Sequence, residues 1–469
     1  MQNAECRMQN EESLEPSINS SFCVLRSAFL VLVISFTGSA AAETIADQII
    51  QRELAGSQAY DTLSYLTDNI GQRLSGSKGA AAAVKWTTDR FRSWGVPVTT
   101  EKVMVPHWVR GAEEARLVSH MDQKIVLTAL GGSVATPMMG LTADVVEVNS
   151  FDELKALGAK AKGKIVFYNN PMDMDLVRAH RGFEAYGKAV AFRSSGPSRA
   201  AEYGAVAALI RSVGSASLRT THTGALRYDP NQPKIPAAAM TAEDAMLVDR
   251  LLKKGERVRM HLLLTPRILP DVESANVIAE LRGSEKPEEI VVIGGHLDSW
   301  DLGTGAIDDG SGVAMVMETM RLLKEMNLTP KRTIRCVLFM NEENGSNGGR
   351  AYFANHKNDK HVAAIESDSG VAAPTGFRTT LKGDALTALE RRAEPLAAIG
   401  AAKFETTRET GADTSFLIEA GVPGFSFVPE PLHYFDYHHT PADTLDKVDP
   451  KELAQDSAAV AALTWILAN

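Results

Sequence analysis

Three apolar runs in the second half of the chain each end in an acid or an imidazole, and this repetition constrains the architecture most. The run Glu289-Ile-Val-Val-Ile-Gly-Gly-His-Leu-Asp leads into His296 and Asp298. The run Ile334 to Met340 leads into Asn341-Glu342-Glu343, and a third, weaker run ends at Glu366-Ser-Asp368. Short apolar runs rich in Val and Ile read as buried strands. A helical pattern, Val313 to Leu323, lies between the first two. Residues 266–469 therefore alternate strand and helix. That predicts an α/β fold: a mixed, mostly parallel sheet covered by helices on both faces. In such sheets ligands and chemistry collect at the C-terminal ends of the strands.

The chain has 469 residues, more than one ordinary core holds. Residues 43–117 read as a first part, helical and then extended, with a helix over Ala80 to Trp94 and a strand over Val98 to Val105. Residues 118–265 differ. Short β-like runs (Ile125 to Ala129, Val145 to Val148, Lys164 to Tyr168) alternate with Gly and Pro turns and helical stretches such as Phe151 to Leu157 and Pro197 to Tyr203. None of the acid and imidazole spacings falls there, so this stretch is expected as a β-rich insert that shapes access or substrate choice. The formal charge of -9, with no basic run, argues against nucleic-acid binding.

Arg26 precedes the apolar run Ala28 to Phe36, and Thr37-Gly-Ser-Ala-Ala-Ala42 follows. A short apolar core followed by small residues is a secretory pattern, so residues 1–42 are expected to be a signal region. The run is shorter than the ~20 apolar residues of a spanning helix. The mature chain is thus expected to be secreted or periplasmic, with no stable membrane span. It would keep one cysteine, Cys336, in an apolar run, which predicts a buried, inert thiol.

His296-x-Asp298 puts both side chains on one face of a strand, because side chains alternate with a period of two. A metal-bound imidazole needs a partner on its other nitrogen, which makes His296 a candidate ligand and Asp298 the group that orients it. Asp308, in Gly305-Ala-Ile-Asp-Asp-Gly-Ser-Gly312, precedes a helix. It could bridge two metals, or it could simply cap that helix. Two adjacent carboxylates, Glu342 and Glu343, repel one another unless a cation or shared proton offsets the charge. One could ligate metal while its neighbour acts as general base. Asp368 and His439, in Tyr437-His-His-Thr-Pro-Ala-Asp-Thr444, complete a set of two imidazoles and three carboxylates. Two zinc ions per chain would then each have one imidazole and oxygen ligands. Nitrogen and oxygen ligands without cysteine suit zinc, with manganese and cobalt open.

These motifs resemble the di-zinc exopeptidases, the family of the bacterial leucyl aminopeptidases and the carboxypeptidase Q group. The likeness extends into the insert, through Ala191-Phe-Arg-Ser-Ser-Gly196 and Leu218 to Tyr228. It implies that His296 and Asp368 bind one zinc, that Glu343 and His439 bind the other, and that Asp308 bridges them. It implies Glu342 as general base, Asp298 as a catalytic-site residue behind the ligands, and a non-proline cis peptide at Asp308-Asp309. It further implies an insert of protease-associated type, a homodimer and a dipeptide or short-peptide substrate. Arg193, His222 and Arg227 become candidates for substrate selection or dimer contact, and His438 for a pocket residue. An aminopeptidase stays open, as do a non-catalytic binding protein and a glutaminyl cyclase-like enzyme on the same fold.

Overall fold

Strands Lys286–His296, Arg332–Phe339 and Lys360–Glu366 lie side by side and parallel, and end together: His296 stands opposite Phe339, and Gly294 opposite Glu366. Their alternating residues explain why both faces are covered. Val291, Ile293 and Cys336 point into one apolar cluster, whereas Ile290, Val292 and Val337 point into another on the opposite face. Neither face could be left in water, so helices must flank the sheet. Ser311–Glu325 and Pro450–Ala468 pack on the first face together with Ile45–Gly56. Cys336 is fully buried, and burial pushes its thiol up, away from reactivity.

The computed structural model describes residues 43–469. The expected signal region lies outside the described residues. The first sheet has eight strands, in the order Val98–Val109, Arg267–Leu281, Arg332–Phe339, Lys286–His296, Lys360–Glu366, Gly424–Pro429, Pro374–Thr379, Phe404–Thr406. The four central strands are parallel, and antiparallel pairings flank them on both sides. The fold is mixed α/β, as expected.

A second mixed sheet of eight strands is built wholly from residues 113–264. It starts at the strand Glu113–Leu117, ahead of the expected boundary at 118, because Ala115 pairs with both Ile125 and Leu262. One expected element was too short. The helix read over Pro197 to Tyr203 runs from Gly182 to Glu202. Gly187, Gly196 and Pro197 obscure its period. Burial of Ala185, Ala189, Ala200 and Ala201 overrides that weak local propensity. Among the described residues, no helix is long and apolar enough to cross a membrane.

Candidate metal centre

The flush strand ends bring the predicted residues to one place. Asp308, Glu342, Glu343, Asp368 and His439 line a single cavity of about 830 Å³, with His438 beside them. Asp308 stands at the middle. His296 Nε2 lies 3.1 Å from its Oδ1, and His439 Nε2 lies 3.2 Å from its Oδ2. Asp368 Oδ1 is 3.7 Å from His296 Nε2, and Glu343 Oε2 is 3.1 Å from His439 Nε2. One carboxylate thus faces an imidazole on each side, and each imidazole faces a further carboxylate.

This donor set fits metal ions. Asp308 Oδ2 and Asp368 Oδ1 are buried without a hydrogen-bond partner among the described residues, although imidazole nitrogens stand close by. Potential ligand atoms of His296, Asp308 and Glu343 all lie within 4.8 Å of one another, as do those of His296, Asp309 and Asp368 and those of Asp308, His438 and His439. Burial pushes Glu343 well above the usual carboxylate range, and the charge of Asp308 adds to it. Glu342 is raised by burial and by Glu343 and Asp368, against the opposing charge of His296. Burial also works against an ionised Asp308, but His296 and His439 outweigh it and hold that carboxyl well below its ordinary value. So many acids cannot all ionise in one buried space without cations.

Each side chain is aimed by its surroundings. His296 ends its strand, and its Nδ1–H donates to the backbone carbonyl of Asp298 at 3.0 Å. The Asp298 carboxylate was expected in that role, but its Oδ1 is 3.9 Å from Nδ1. It instead accepts from the backbone N–H groups of Asn341 (2.8 Å) and Glu342 (3.0 Å). The reason is register: two residues past His296, Asp298 faces the neighbouring strand's end, where those N–H groups are otherwise unpaired. Asp298 therefore positions the Glu342-Glu343 turn. The Trp300 backbone N–H donates to Glu343 Oε1 at 3.1 Å, which turns Oε2 toward His439.

The peptide between Asp308 and Asp309 is cis. Asp309 accepts from the His296 N–H through Oδ2 and from the Gly312 N–H through Oδ1, both at 3.0 Å. The exposed N–H of Gly312 in the first turn of the helix is thus taken by Asp309, and Asp308, for which capping was the alternative, is left facing the imidazoles. Asp443 accepts from the N–H groups of Ala306 (2.8 Å), Ile307 (2.7 Å) and Asp308 (3.3 Å). Burial, then the charge of Asp308, push its carboxyl up to about 7. Arg73, fully buried, donates to the carbonyls of Leu297, Thr304 and Gly305 and so pins the loop before Asp308.

Sequence reasoning missed Arg73, Asp309 and Asp443 as positioning groups. Asp443 had a signal, since it lies in the same quoted motif as His439. It also missed the backbone of the second sheet's segment. His439 Nδ1 lies 3.3 Å from the Thr223 carbonyl, and the Thr223 N–H donates to the His439 carbonyl at 2.9 Å. His439 sits in the left-handed region with φ 62°, and this pairing holds it there. His222 Nδ1 bonds the His438 carbonyl at 2.9 Å, and Arg193 Nη1 lies 3.4 Å from His439 Nδ1. Arg227 is exposed on the same cavity.

The pattern of peptidase family M28 matches residues 276–464. Carboxypeptidase Q of Mus musculus is 38% identical over 433 residues, covering 91% of this chain and 90% of that protein. The crystal structure of a peptidase M28 precursor from Shewanella amazonensis superposes with a TM-score of 0.87 at 40% identity, covering 91% of this chain and 96% of that one. A zinc aminopeptidase from Bacillus subtilis shares the fold, with a TM-score of 0.64 at 22% identity over 87% of this chain and 93% of its own. With the ligand-type residues gathered at the strand ends of such a fold, the chain belongs to peptidase family M28 and is a metallopeptidase of the exopeptidase kind.

Proposed function

We propose that the protein is an exported di-zinc exopeptidase that hydrolyses dipeptides or short peptides in the manner of carboxypeptidase Q. The observation that carries this reading is the position of Asp308, within 3.2 Å of an imidazole nitrogen on either side. His296 and Asp368 would hold one ion, Glu343 and His439 the other, with Asp308 shared. When bound, the ions would supply Lewis acidity toward the scissile carbonyl and would acidify an attacking water.

Glu342 takes the proton from the attacking water and returns it to the departing amine. It belongs to none of the clustered ligand sets and lines the cavity, which suits a base better than a ligand. Asp298 fixes its backbone through the Glu342 N–H. The neighbouring His438 packs against His439 with ring centroids 3.6 Å apart and keeps that imidazole flat against the pocket wall. The second sheet serves as a protease-associated-type insert, and the functional unit is a homodimer.

The test is hydrolysis of one dipeptide in free, N-acetylated and C-amidated form, with metal content measured on the same sample. About two zinc equivalents per chain and cleavage of the free dipeptide are expected. A demand for the free amine alone would make the enzyme an aminopeptidase. Full activity in a metal-free protein would overturn the reading.

A further inference from the structure

We propose that Asn276, on the strand Arg267–Leu281, is a positioning residue for the general base: its carboxamide clamps both ends of the loop that carries Glu342, and Glu101 with His356 braces it from the neighbouring edge strand. The inference rests on the peptidase reading above and adds to it.

The loop from Met340 to Gly348 joins the strand Arg332–Phe339 to the helix Asn347–His356 and carries both Glu342 and Glu343. Asn341 and Ser346 in this loop lie in the left-handed region, with φ 75° and 57°. Such conformations persist only where the surroundings enforce them.

Asn276 supplies part of that enforcement. It is fully buried and stands directly across from Glu101 in the pairing of Val98–Val109 with its own strand. The next residue, Val277, pairs with Leu338, so Asn276 sits where the strand Arg332–Phe339 gives way to the loop. Its Oδ1 accepts from the Met340 N–H at 3.0 Å, and its Nδ2 donates to the Gly348 carbonyl at 3.0 Å. One planar amide thus closes the loop across its base. Nδ2 also reaches Glu101 Oε1 at 3.2 Å. An acceptor and two donors on one short side chain are what asparagine offers. Asp would turn lone pairs toward the Gly348 carbonyl and Glu101, and Leu would leave the buried Met340 N–H without this partner. Gly348 makes the close approach possible: a Cβ there would lie 2.6 Å from Asn276 Oδ1 and 2.4 Å from the Met340 carbonyl oxygen.

The brace continues outward. Glu101 Oε2 accepts from His356 Nε2–H at 3.0 Å. Burial works against an ionised Glu101, but the bond from His356, with those from Asn355 and Asn276, outweighs it and holds this carboxyl below its ordinary value. His356 ends the helix whose first turn contains Gly348. The same pair of strands therefore grips that helix at both ends. On its other side His356 Nδ1 meets Asp359 at 2.9 Å and Arg335 at 3.2 Å, and the ring stacks on Tyr352 at 4.6 Å.

The two carboxylates of the loop depend on this clamp unequally. Glu343 is held at its side chain by the Trp300 N–H. Glu342 is held through its backbone N–H by Asp298, and none of the hydrogen bonds among the described residues reaches its carboxylate. A loosened loop should therefore misplace the base before it frees the ligand.

The experiment measures hydrolysis of leucyl-alanine by the zinc-loaded protein, well below its Tm, with zinc content determined on each sample. Asn276→Leu should lower kcat by about 10–100-fold, because a displacement near ~1 Å is enough for that. KM should stay within about twofold, and about two zinc equivalents should be retained. The same substitution in a Glu342→Gln background should cost less than about twofold further, since a base already absent cannot be misplaced. A merely structural role would lower activity alike in both backgrounds. If Asn276→Leu fails to fold, Glu101→Ala takes its place. It leaves the clamp but removes the brace, and should lower kcat about threefold with Glu342 present and not in the Glu342→Gln background. Equal losses in both backgrounds, a kcat unmoved by these substitutions, or zinc lost in step with activity would overturn the proposal while the peptidase reading stands. If Glu342→Gln alone left kcat untouched, or a two-zinc protein cleaved no dipeptide, the base assignment or the peptidase reading would fail first, and the proposal with it.

Discussion

Under the proposed mechanism the chain neighbours Glu342 and Glu343 have different tasks, and substitution tests that division. Glu343 is held by the Trp300 N–H and faces His439, whereas Glu342 faces the cavity. Glu342→Gln keeps the shape but cannot accept a proton. It should lower kcat by about 10²–10⁴-fold with both metals retained. Glu343→Gln removes a charged ligand and should lower metal content, with activity partly restored by excess zinc. Elemental analysis beside steady-state kinetics distinguishes the two, and a reversed pattern would exchange the roles. At this scale the ligand-type side chains were legible because they follow apolar strands at fixed positions. His439 was legible through its motif. The groups that aim them were less so. The carbonyls of Asp298 and Thr223 are backbone atoms, which any residue supplies. The Asp298 carboxylate, read as the partner of His296, hydrogen-bonds the Asn341 and Glu342 N–H groups, because strand alternation fixes the face of a side chain but not which neighbour's N–H it meets.

Elements transmit these positions, and two packing contacts can be tested. Gly131, from the second sheet's segment, lies against the Trp300 ring, where a Cβ would stand 1.9 Å from the indole. Trp300 also carries the N–H that orients Glu343. Gly131→Ala should therefore destabilise the fold by about 1–3 kcal/mol, as overpacking does, and should weaken zinc binding at the same time. Thermal unfolding and a zinc titration measure both, and a normal zinc affinity would show that Trp300 does not transmit the strain. The second contact lies on the far side of the catalytic sheet. Glu53, on the helix Ile45–Gly56, is fully buried, and neither of its oxygens has a hydrogen-bond partner among the described residues. Burial, then the charge of Glu318, raise its pKa from 4.5 to about 9. A carboxyl raised on folding stabilises fully below its unfolded pKa, and that contribution drains away as pH climbs toward 9. Glu53→Gln should be nearly neutral near pH 5 and raise Tm by roughly 5 °C near pH 8.5. An unchanged Tm difference across that range would rule it out. The helix itself was legible from apolar spacing, but the depth at which Glu53 sits depends on packing against Ser311–Glu325 that no local pattern records.

At the scale of the whole molecule, the candidate metal centre lies where segments of the two sheets meet. His439 comes from the C-terminal segment, yet its carbonyl is held by the Thr223 N–H and its Nδ1 lies against the Thr223 carbonyl. Arg110 adds a second tie, pairing with Asp301 at 2.7 Å on the catalytic side and with Glu113 at 2.9 Å on the insert side. The change in composition along residues 118–265 is what sets that stretch apart in the sequence. It could not reveal that the second sheet's segment reaches back to hold His439, since that contact joins residues 216 positions apart. The arrangement predicts that metal and insert stabilise one another. A ligand bound only by the folded state raises stability with its concentration, and removing it would leave Asp308, Glu343 and Asp368 crowded into one cavity without a cation to balance them. Chelation should therefore lower Tm, by an amount that zinc reverses. Hydrogen exchange should quicken at residues 221–226 as well as at 438–443, because a loosened His439 releases the Thr223 pairing. Faster exchange at 438–443 alone would mean that the insert docks independently of the metals, through Arg110 and Trp300, and the coupling would be absent.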